Sequence, residues 1–200
     1  IMADMMTVLS AEQTDLLRGL TDVGMGNAAT ALSTMINTGT DISIPDVKLI
    51  KLEDATRLLS AISGGALTML INISGDIYGK LIHIIPAQFA ERVISSYYEK
   101  KLSSWADLNE MDESVIFEMT NIISAQFCNA LSDQLGMLVD ISTPERCQNL
   151  AESVAKDADE SLVFVNTVLQ ITENGSKEFA VFIPGQKYVA PIAERIKRGR

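Results

Sequence analysis

An internal repeat constrains the fold of this chain more than any other feature of its 200-residue sequence. When the chain is shifted by 99 residues, residues 15–45 align without a gap with residues 114–144. The repeated tripeptides are Ala-Leu-Ser and Asp-Ile-Ser, and Pro45 falls on Pro144. Such self-similarity at one offset indicates that one supersecondary unit occurs twice.

Each copy is predicted to begin with a long helix and an extended segment. Ser10 and Gln13 form a capping-box pattern for the first helix, which is expected to end near Asn37. The second helix is expected to end at Leu135, because Gly136 supplies a C-cap. An extended Asp-Ile-Ser-Ile-Pro or Asp-Ile-Ser-Thr-Pro follows, and then a segment of weaker pattern.

A β-hairpin and a shorter helix are predicted to complete each copy. The hairpins span 67–86 and 162–184, and they turn at Gly-Asp and Asn-Gly, which are strong hairpin signals. Both hairpins end in Ile-Pro. Helices are expected over 87–102 in the first copy and 188–197 in the second.

The predicted fold class is therefore α/β (α+β-like), with the order α-β-(α)-β-β-α occurring twice around a pseudo-twofold axis. Two three-stranded units would join into one six-stranded sheet flanked by helices, since neither unit alone buries enough surface. We expect a single domain over 1–200 made of two repeats, about 10–100 and 112–196, joined at 100–112.

Composition and charge exclude several classes of function. The formal net charge is −10, whereas nucleic-acid binding needs clustered Lys and Arg. The apolar runs are too short to span a bilayer, and residues 1–10 lack the basic start of a signal peptide. These observations predict a cytoplasmic protein that binds no nucleic acid and does not insert into a membrane.

Few residues of the chain suit metal binding or nucleophilic catalysis. Cys128 and Cys147 form no Cys-x-x-Cys pair, and reduced thiols are the favoured interpretation over a disulfide. His83 is the single histidine and lies in a predicted strand, which favours a packed side chain over a catalytic base. No metal site and no phosphate-binding loop are therefore predicted.

A polar stripe crosses the otherwise apolar start of the second copy. Ser114, Glu118 and Asn121 lie four and three residues apart, so a helix places them on one face. Taken alone, such a stripe is most often the solvated side of an amphipathic helix.

The first copy provides an internal comparison for this stripe. Its equivalent positions are Asp15, Gly19 and Asp22, so the two outer positions stay polar and the middle one becomes glycine. Glycine inside a helix costs roughly 1 kcal/mol relative to alanine, which is an unexpected choice for a plain surface.

The second copy carries the pattern Ser-x3-Glu-x2-Asn-x22-Pro, formed by Ser114, Glu118, Asn121 and Pro144. This pattern resembles the signature of the CheC/CheX/FliY family of chemotaxis phosphatases, written Asp/Ser-x3-Glu-x2-Asn-x22-Pro. The resemblance covers nearly the whole chain, including its two-copy plan. It is greatest for CheC-type proteins, since CheX proteins usually keep one motif.

The first copy matches the family pattern only in part. Asp15 and Pro45 stand at the expected positions, and residues 25–33 resemble the glycine-alanine helix that follows the first CheC motif. However, Gly19 and Asp22 replace the expected Glu and Asn. We therefore expect a degenerate first site and an intact second one.

The resemblance implies hydrolysis of the aspartyl phosphate of a CheY-type receiver. Asn121 can hold a water in line with the phosphoryl group, and Glu118 can pair with a receiver lysine. Ser114 and Pro144 would support them. The protein would need no cofactor of its own, because the metal would be the receiver's Mg²⁺. CheD, a receptor-modifying deamidase, is a further partner that the resemblance implies.

A non-enzymatic function remains the alternative. With one motif degenerate, the protein could be an adaptor that binds CheD or phosphorylated CheY without hydrolysis. An amide at the position of Asn121 favours the enzyme, since an adaptor has no need of it.

Overall fold

The structure is a computed structural model that describes residues 8–156 and 158–199. The first repeat contributes three helices and four strands: α1 (Ala11–Ile36), β1 (Thr40–Ile42), β2 (Asp46–Lys51), α2 (Leu52–Ser63), β3 (Leu67–Gly75), β4 (Gly79–Ile85) and α3 (Ala87–Ile94). Residues 1–7, which the prediction about a signal peptide partly concerns, lie outside the described residues.

The second repeat follows a short 3-10 turn at Trp105–Asp107. It contributes the remaining elements: α4 (Glu110–Leu135), β5 (Val139–Ile141), β6 (Glu145–Arg146), α5 (Leu150–Ala155), β7 (Ser161–Ile171), β8 (Lys177–Pro184) and α6 (Gln186–Arg198). The two long helices thus begin and end 99 residues apart, as the repeat predicts.

The strands form one antiparallel sheet in the order β1-β7-β8-β4-β3-β5, with β2 also on β7 and β6 also on β3. Helices α1 and α4 pack against each other over one face, next to α3 and α6, while α2 and α5 cover the other face. The predicted α/β (α+β-like) class is confirmed. The sheet has eight strands rather than six because each edge strand is interrupted.

The first interruption is a bulge at Pro45. Ile42 lies opposite Leu169, and Asp46 lies opposite Asn166, so three edge residues face two residues of β7. Proline has no N–H to donate to the ladder, which explains why pairing stops at this position.

The second interruption repeats the first. Ile141 lies opposite Ile73 and Glu145 lies opposite Leu70, with Pro144 inside the three-residue bulge. Each proline of the motif therefore shapes a bulge at an edge of the sheet.

A serine side chain replaces a ladder acceptor at each bulge. Ser43 Oγ accepts from Val168 N–H at 2.9 Å, and Ser142 Oγ accepts from Asn72 N–H at 3.0 Å. These serines are the last residues of the repeated Asp-Ile-Ser tripeptide. The repeat thus encodes the bulge as well as the strand.

The edge strands are exchanged between the repeats. β1 and β2 of the first repeat pair with β7 of the second, and β5 and β6 of the second pair with β3 of the first. The expectation that each repeat forms its own three-stranded unit is therefore wrong. Helix α1 contacts β7 of the second repeat. The chain that leaves α1 therefore reaches the edge of the sheet next to β7, where it forms β1 and β2.

The helix boundaries follow the predicted caps. Ser10 and Gln13 form the capping box of α1, which ends at Asn37 in the left-handed region with φ 51°. Gly136, with φ 58°, ends α4 in the same way. A positive φ suits glycine and asparagine best, so the cap predicted at Gly136 is confirmed. The first helix ends near Asn37 as expected, but Asn37 itself, rather than the following Thr-Gly-Thr, adopts the left-handed conformation.

The two shorter helices differ from prediction. α3 ends at Ile94 rather than near residue 102, because Ser95 Oγ donates to Lys100 O and Ser96 Oγ donates to Val93 O. Such local side-chain bonds compete with helix continuation. α6 starts two residues before prediction and includes Pro191. Among the described helices, none combines the length and apolarity that crossing a membrane requires.

Candidate functional site

The helix that carries the polar stripe is fixed at its N-terminus by a buried carboxylate. Asn109 and Asp112 form its capping box, and Asp112 also accepts from Tyr98 Oη and from Lys100 Nζ, the latter at 2.7 Å. Burial opposes ionisation of Asp112, but the bonds from Asn109, Lys100 and Tyr98 prevail and lower its pKa. Burial and the bond to Asp112 raise the pKa of Tyr98 to about 12.

The stripe itself lies on the outer face of α4. Ser114, Glu118 and Asn121 are exposed, whereas the opposite face of the helix is buried in the core: Ile116, Met119, Thr120, Ile123 and Phe127. Ser114 Oγ donates to Glu110 O at 2.8 Å. In the part of the chain that the structure describes, the side chains of Glu118 and Asn121 form no hydrogen bond and no ion pair. Both side chains are therefore available to another molecule.

Large apolar or aromatic side chains on α4 and just after α3 are also exposed. Met111 is 63% exposed, Phe117 38% and Tyr97 52%. Burial, and then the charge of Glu118, raise the pKa of Tyr97, which places that ring near the carboxylate. The surface combines an unpaired carboxylate, an unpaired amide and apolar area, a mixture typical of protein-binding surfaces.

The motif proline is buried at the edge of the sheet that the second repeat supplies. Pro144 is buried within the bulge between β5 and β6. The next strand is held against the start of α4 by an ion pair between Arg146 Nη1 and Glu113 Oε1 at 3.5 Å. The proline segment therefore lies beside the N-terminal half of the stripe helix.

In the first copy an arginine engages the residues equivalent to Ser114 and Pro144. Arg18 Nη1 pairs with Asp15 at 2.7 Å, and Arg18 Nε donates to Pro45 O at 3.3 Å. The structure thus brings Asp15 and Pro45 together through Arg18, whereas the equivalent residue of the second copy is Phe117. Sequence reasoning missed Arg18, although its position within the motif was a usable signal.

The two altered positions of the first copy are open to solvent. A Cβ atom on Gly19 would meet nothing within 4 Å, and Asp22 is exposed. Gly19 is therefore not required by close packing. In the described residues Asp22 forms no ion pair, so the first copy offers a lone carboxylate where the second offers an amide.

A buried polar network lies beneath α4, and the sequence analysis did not anticipate it. His83 Nδ1 bonds Glu178 Oε1, and His83 Nε2 lies 2.9 Å from Ser124 Oγ. All three side chains are fully buried. His83 is thus a packed strand residue, as predicted. Cys128 is buried and Cys147 half-buried, and both are free thiols.

A cavity of about 340 Å³ lies on the α5 side of the sheet, between Val154, Leu162, Tyr78 and Pro184. None of the motif residues lines it. Within residues 8–156 and 158–199, no three His, Cys, Asp or Glu side chains cluster as metal ligands. Ser114, Glu118 and Asn121 therefore lie on an exposed helix face outside this cavity.

Comparison with known proteins identifies the family of this chain. The family model described as chemotaxis phosphatase CheX matches residues 67–167, half of the chain, including α4 and its stripe. The chain belongs to the CheC/CheX/FliY family of chemotaxis phosphatases. This membership confirms the resemblance that the motif indicates.

One curated relative and two solved structures illustrate the relationship. The chain is 26% identical over 139 residues to the CheY-P phosphatase CheC of Bacillus subtilis (strain 168), covering 68% of this chain and just under two thirds, 66%, of that protein. Thermotoga maritima FliY superposes with a TM-score of 0.78 at 20% identity, covering 96% of this chain and 100% of that one. The FliM middle domain from H. pylori superposes with a TM-score of 0.66 at 14% identity, covering 93% of this chain and 99% of that one. The last two similarities concern the fold alone.

Proposed function

We propose that this protein hydrolyses the aspartyl phosphate of a CheY-type receiver domain, with Glu118 and Asn121 of α4 as its single working site. The observation that carries the proposal is that both side chains are exposed, share one helix face and have no partner in the described residues. The B. subtilis relative is named as a CheY-P phosphatase, and a phosphorylated CheY is the class of substrate that we propose for this protein.

The reaction requires little covalent chemistry from the protein. A water oxygen attacks phosphorus while the bond from phosphorus to the aspartyl oxygen breaks, which releases inorganic phosphate and restores the carboxylate. Catalysis therefore consists of positioning the water and balancing charge. Asn121 suits this task because its amide both donates and accepts, and it carries no charge that would repel the phosphoryl oxygens.

Glu118 would determine how the receiver docks. Its carboxylate has no cation beside it in the described residues, so a lysine on the receiver can pair with it. Phe117, its neighbour in sequence, and Tyr97 add exposed aromatic area near it. Mg²⁺ would come with the receiver, and Ser114 and Pro144 would shape the surface without touching the phosphoryl group.

The first copy is proposed to be inactive for two reasons. Asp22 presents a carboxylate to an anionic group and has no amide donor, while Gly19 has no side chain to reach a lysine. In addition, Arg18 bonds to both Asp15 and Pro45, so these two motif residues already have a partner within the chain.

The test is phosphate release from a phosphorylated receiver. Asn121→Ala should remove the acceleration that the protein provides, whereas Asp22→Ala, the matched change in the first copy, should leave it unchanged. Equal losses from the two substitutions would reject the one-site proposal.

The adaptor is the alternative outcome of the same assay. If the receiver binds but loses phosphate no faster than alone, the protein binds without catalysing. The proposal also places the protein in the cytoplasm and retains CheD as a candidate partner, which a pull-down with purified CheD would test.

A further inference from the structure

A chain of buried hydrogen bonds connects α4 to the centre of the sheet. It runs from Thr120 O through Ser124 Oγ and His83 to Glu178, joining the stripe helix to β4 and β8. Ser124 follows Asn121 by three residues, so the connection is made in the same turn of helix that carries the amide.

The direction of each bond follows from the donors available. Ser124 Oγ donates its one hydrogen to Thr120 O at 2.7 Å, so it accepts from His83 Nε2–H at 2.9 Å. The bond between His83 Nδ1 and Glu178 Oε1 then holds a single proton. Ser124 is buried and its hydrogen is already used, which excludes it as a nucleophile for an external substrate.

Among the described residues, α1 has no counterpart of this network. In the first copy the residue equivalent to Ser124 is Met25, which is buried in the apolar core. Buried polar groups add little stability compared with apolar residues of similar size, but their directional bonds can select one arrangement. Apolar contacts alone would let a helix rotate slightly without losing much energy.

We infer that Ser124, His83 and Glu178 are positioning residues that set the rotation of α4, so that Glu118 and Asn121 point together at the docked phosphoryl group. Asp112 fixes the same helix before the stripe, and Ser124 fixes it after the stripe. A side-chain tip lies roughly 5–6 Å from a helix axis, so a 20° rotation would move it by roughly 2 Å. A misplacement of about 1 Å can cost 100-fold in rate. This inference rests on the proposed function.

The decisive variant replaces the whole network with apolar residues: Ser124→Ala, His83→Leu and Glu178→Met together. It should remain folded, with an unchanged or higher urea midpoint, because none of the three buried polar side chains remains to lack a hydrogen-bond partner. Its kcat for phosphate release should fall about 10- to 100-fold while KM changes little. A stable triple variant with wild-type kcat would overturn the inference.

Two further variants separate positioning from general stability. Glu178→Gln should keep kcat near the wild-type value, since an amide can donate to His83 Nδ1 and preserve the chain of bonds. The matched control is Thr167→Val, which removes a buried hydroxyl from the same face of the sheet, on the strand that contacts α1. It should not change kcat. If the triple variant does not fold, Ser124→Ala alone makes the same comparison with Thr167→Val.

An activity-independent measurement keeps the two proposals distinguishable. The side-chain amide resonances of Asn121 should shift or broaden in the triple variant and stay unchanged in Thr167→Val. If the wild-type protein does not accelerate phosphate release, the proposed function fails, and this comparison decides the positioning inference by itself. Unchanged Asn121 resonances in the triple variant would overturn it.

Discussion

Contacts within the chain determine which motif side chains are free to bind another protein. Asp15 occupies the same motif position as Ser114, yet it is held by Arg18, which also binds Pro45. In contrast, Glu118 has no cationic neighbour among the described residues. The first copy thus presents motif residues that are already bonded to Arg18, whereas the side chains of Glu118 and Asn121 in the second copy have no such bonds among the described residues.

The missing groups of the first copy can be restored. In an Asn121→Ala background, Gly19→Glu with Asp22→Asn should recover measurable phosphate release, and adding Arg18→Ala should increase it. The glutamate fits because a Cβ atom on Gly19 meets nothing within 4 Å. Replacing a helical glycine should also raise the free energy of unfolding by roughly 0.5–1 kcal/mol. The measurements are phosphate release and urea unfolding.

Gly26 is the control for this helix effect. A Cβ atom there also meets nothing within 4 Å, so Gly26→Ala should stabilise α1 by a similar amount. It should not restore phosphate release. Recovery of activity with Gly26→Ala would show that helix stability, rather than the added functional groups, explains the result.

Removing the charge of Glu118 should change docking more than chemistry. We expect Glu118→Gln to raise KM for the receiver roughly 10- to 150-fold, because a charge-assisted bond is worth about 1.5–3 kcal/mol, with a smaller effect on kcat. The same change should lower the pKa of Tyr97, since a nearby carboxylate disfavours the phenolate. Absorbance titration of Tyr97 reports this shift, and Glu113→Gln should leave it unchanged.

At the scale of elements, the stripe helix depends on the buried charge at its start. The pKa of Asp112 is lowered from its ordinary value of 3.8, so its stabilisation is fully present above that pH and is lost as the pH falls through the lower folded-state pKa. Asp112→Asn should therefore lower the melting temperature at pH 7 and flatten its acid dependence. Thermal melts between pH 7 and pH 2 measure both effects.

Asp107 provides the comparison for this prediction. It caps the short 3-10 turn before α4 but is exposed, and Asp107→Asn should alter the acid dependence much less. If the two variants lost stability in parallel as the pH falls, Asp112 would not be the group responsible.

The sequence predicted those elements whose signals are local. Capping residues placed the start of α1 and the C-terminal end of α4, and turn residues placed both hairpins. The end of α3 was missed because it depends on Ser95 and Ser96 forming bonds that compete with the helix. The predicted stripe positions indeed share one exposed face, since helical spacing alone determines that.

Two of the contacts that distinguish the copies could not be predicted, because their partners are far apart in sequence. Arg18 meets Pro45 across 27 residues, and His83 meets Glu178 across 95. No periodic pattern connects such positions. The repeat identified which residues to compare, but only the fold reveals which side chains each of them contacts.

At the scale of the whole molecule, strand exchange makes each repeat dependent on the other. The hairpin of β3 and β4 is bordered on one side by β5 and β6 and on the other by β8, all from the second repeat. Similarly, β7 needs β1 and β2 from the first. Each repeat alone would keep one hairpin and an edge strand without a partner.

Separating the repeats should therefore abolish folding of both. Residues 1–103 or 104–200 alone should lack a cooperative unfolding transition, because an isolated two-stranded hairpin is at best marginally stable. Mixing them in equal amounts should restore helical circular dichroism and a urea transition. The control is the full chain cleaved at an inserted protease site between Ser103 and Ser104, two exposed residues, which should remain folded. Cooperative unfolding of 104–200 by itself would contradict the exchange, since its β7 would then be stable without β1 and β2.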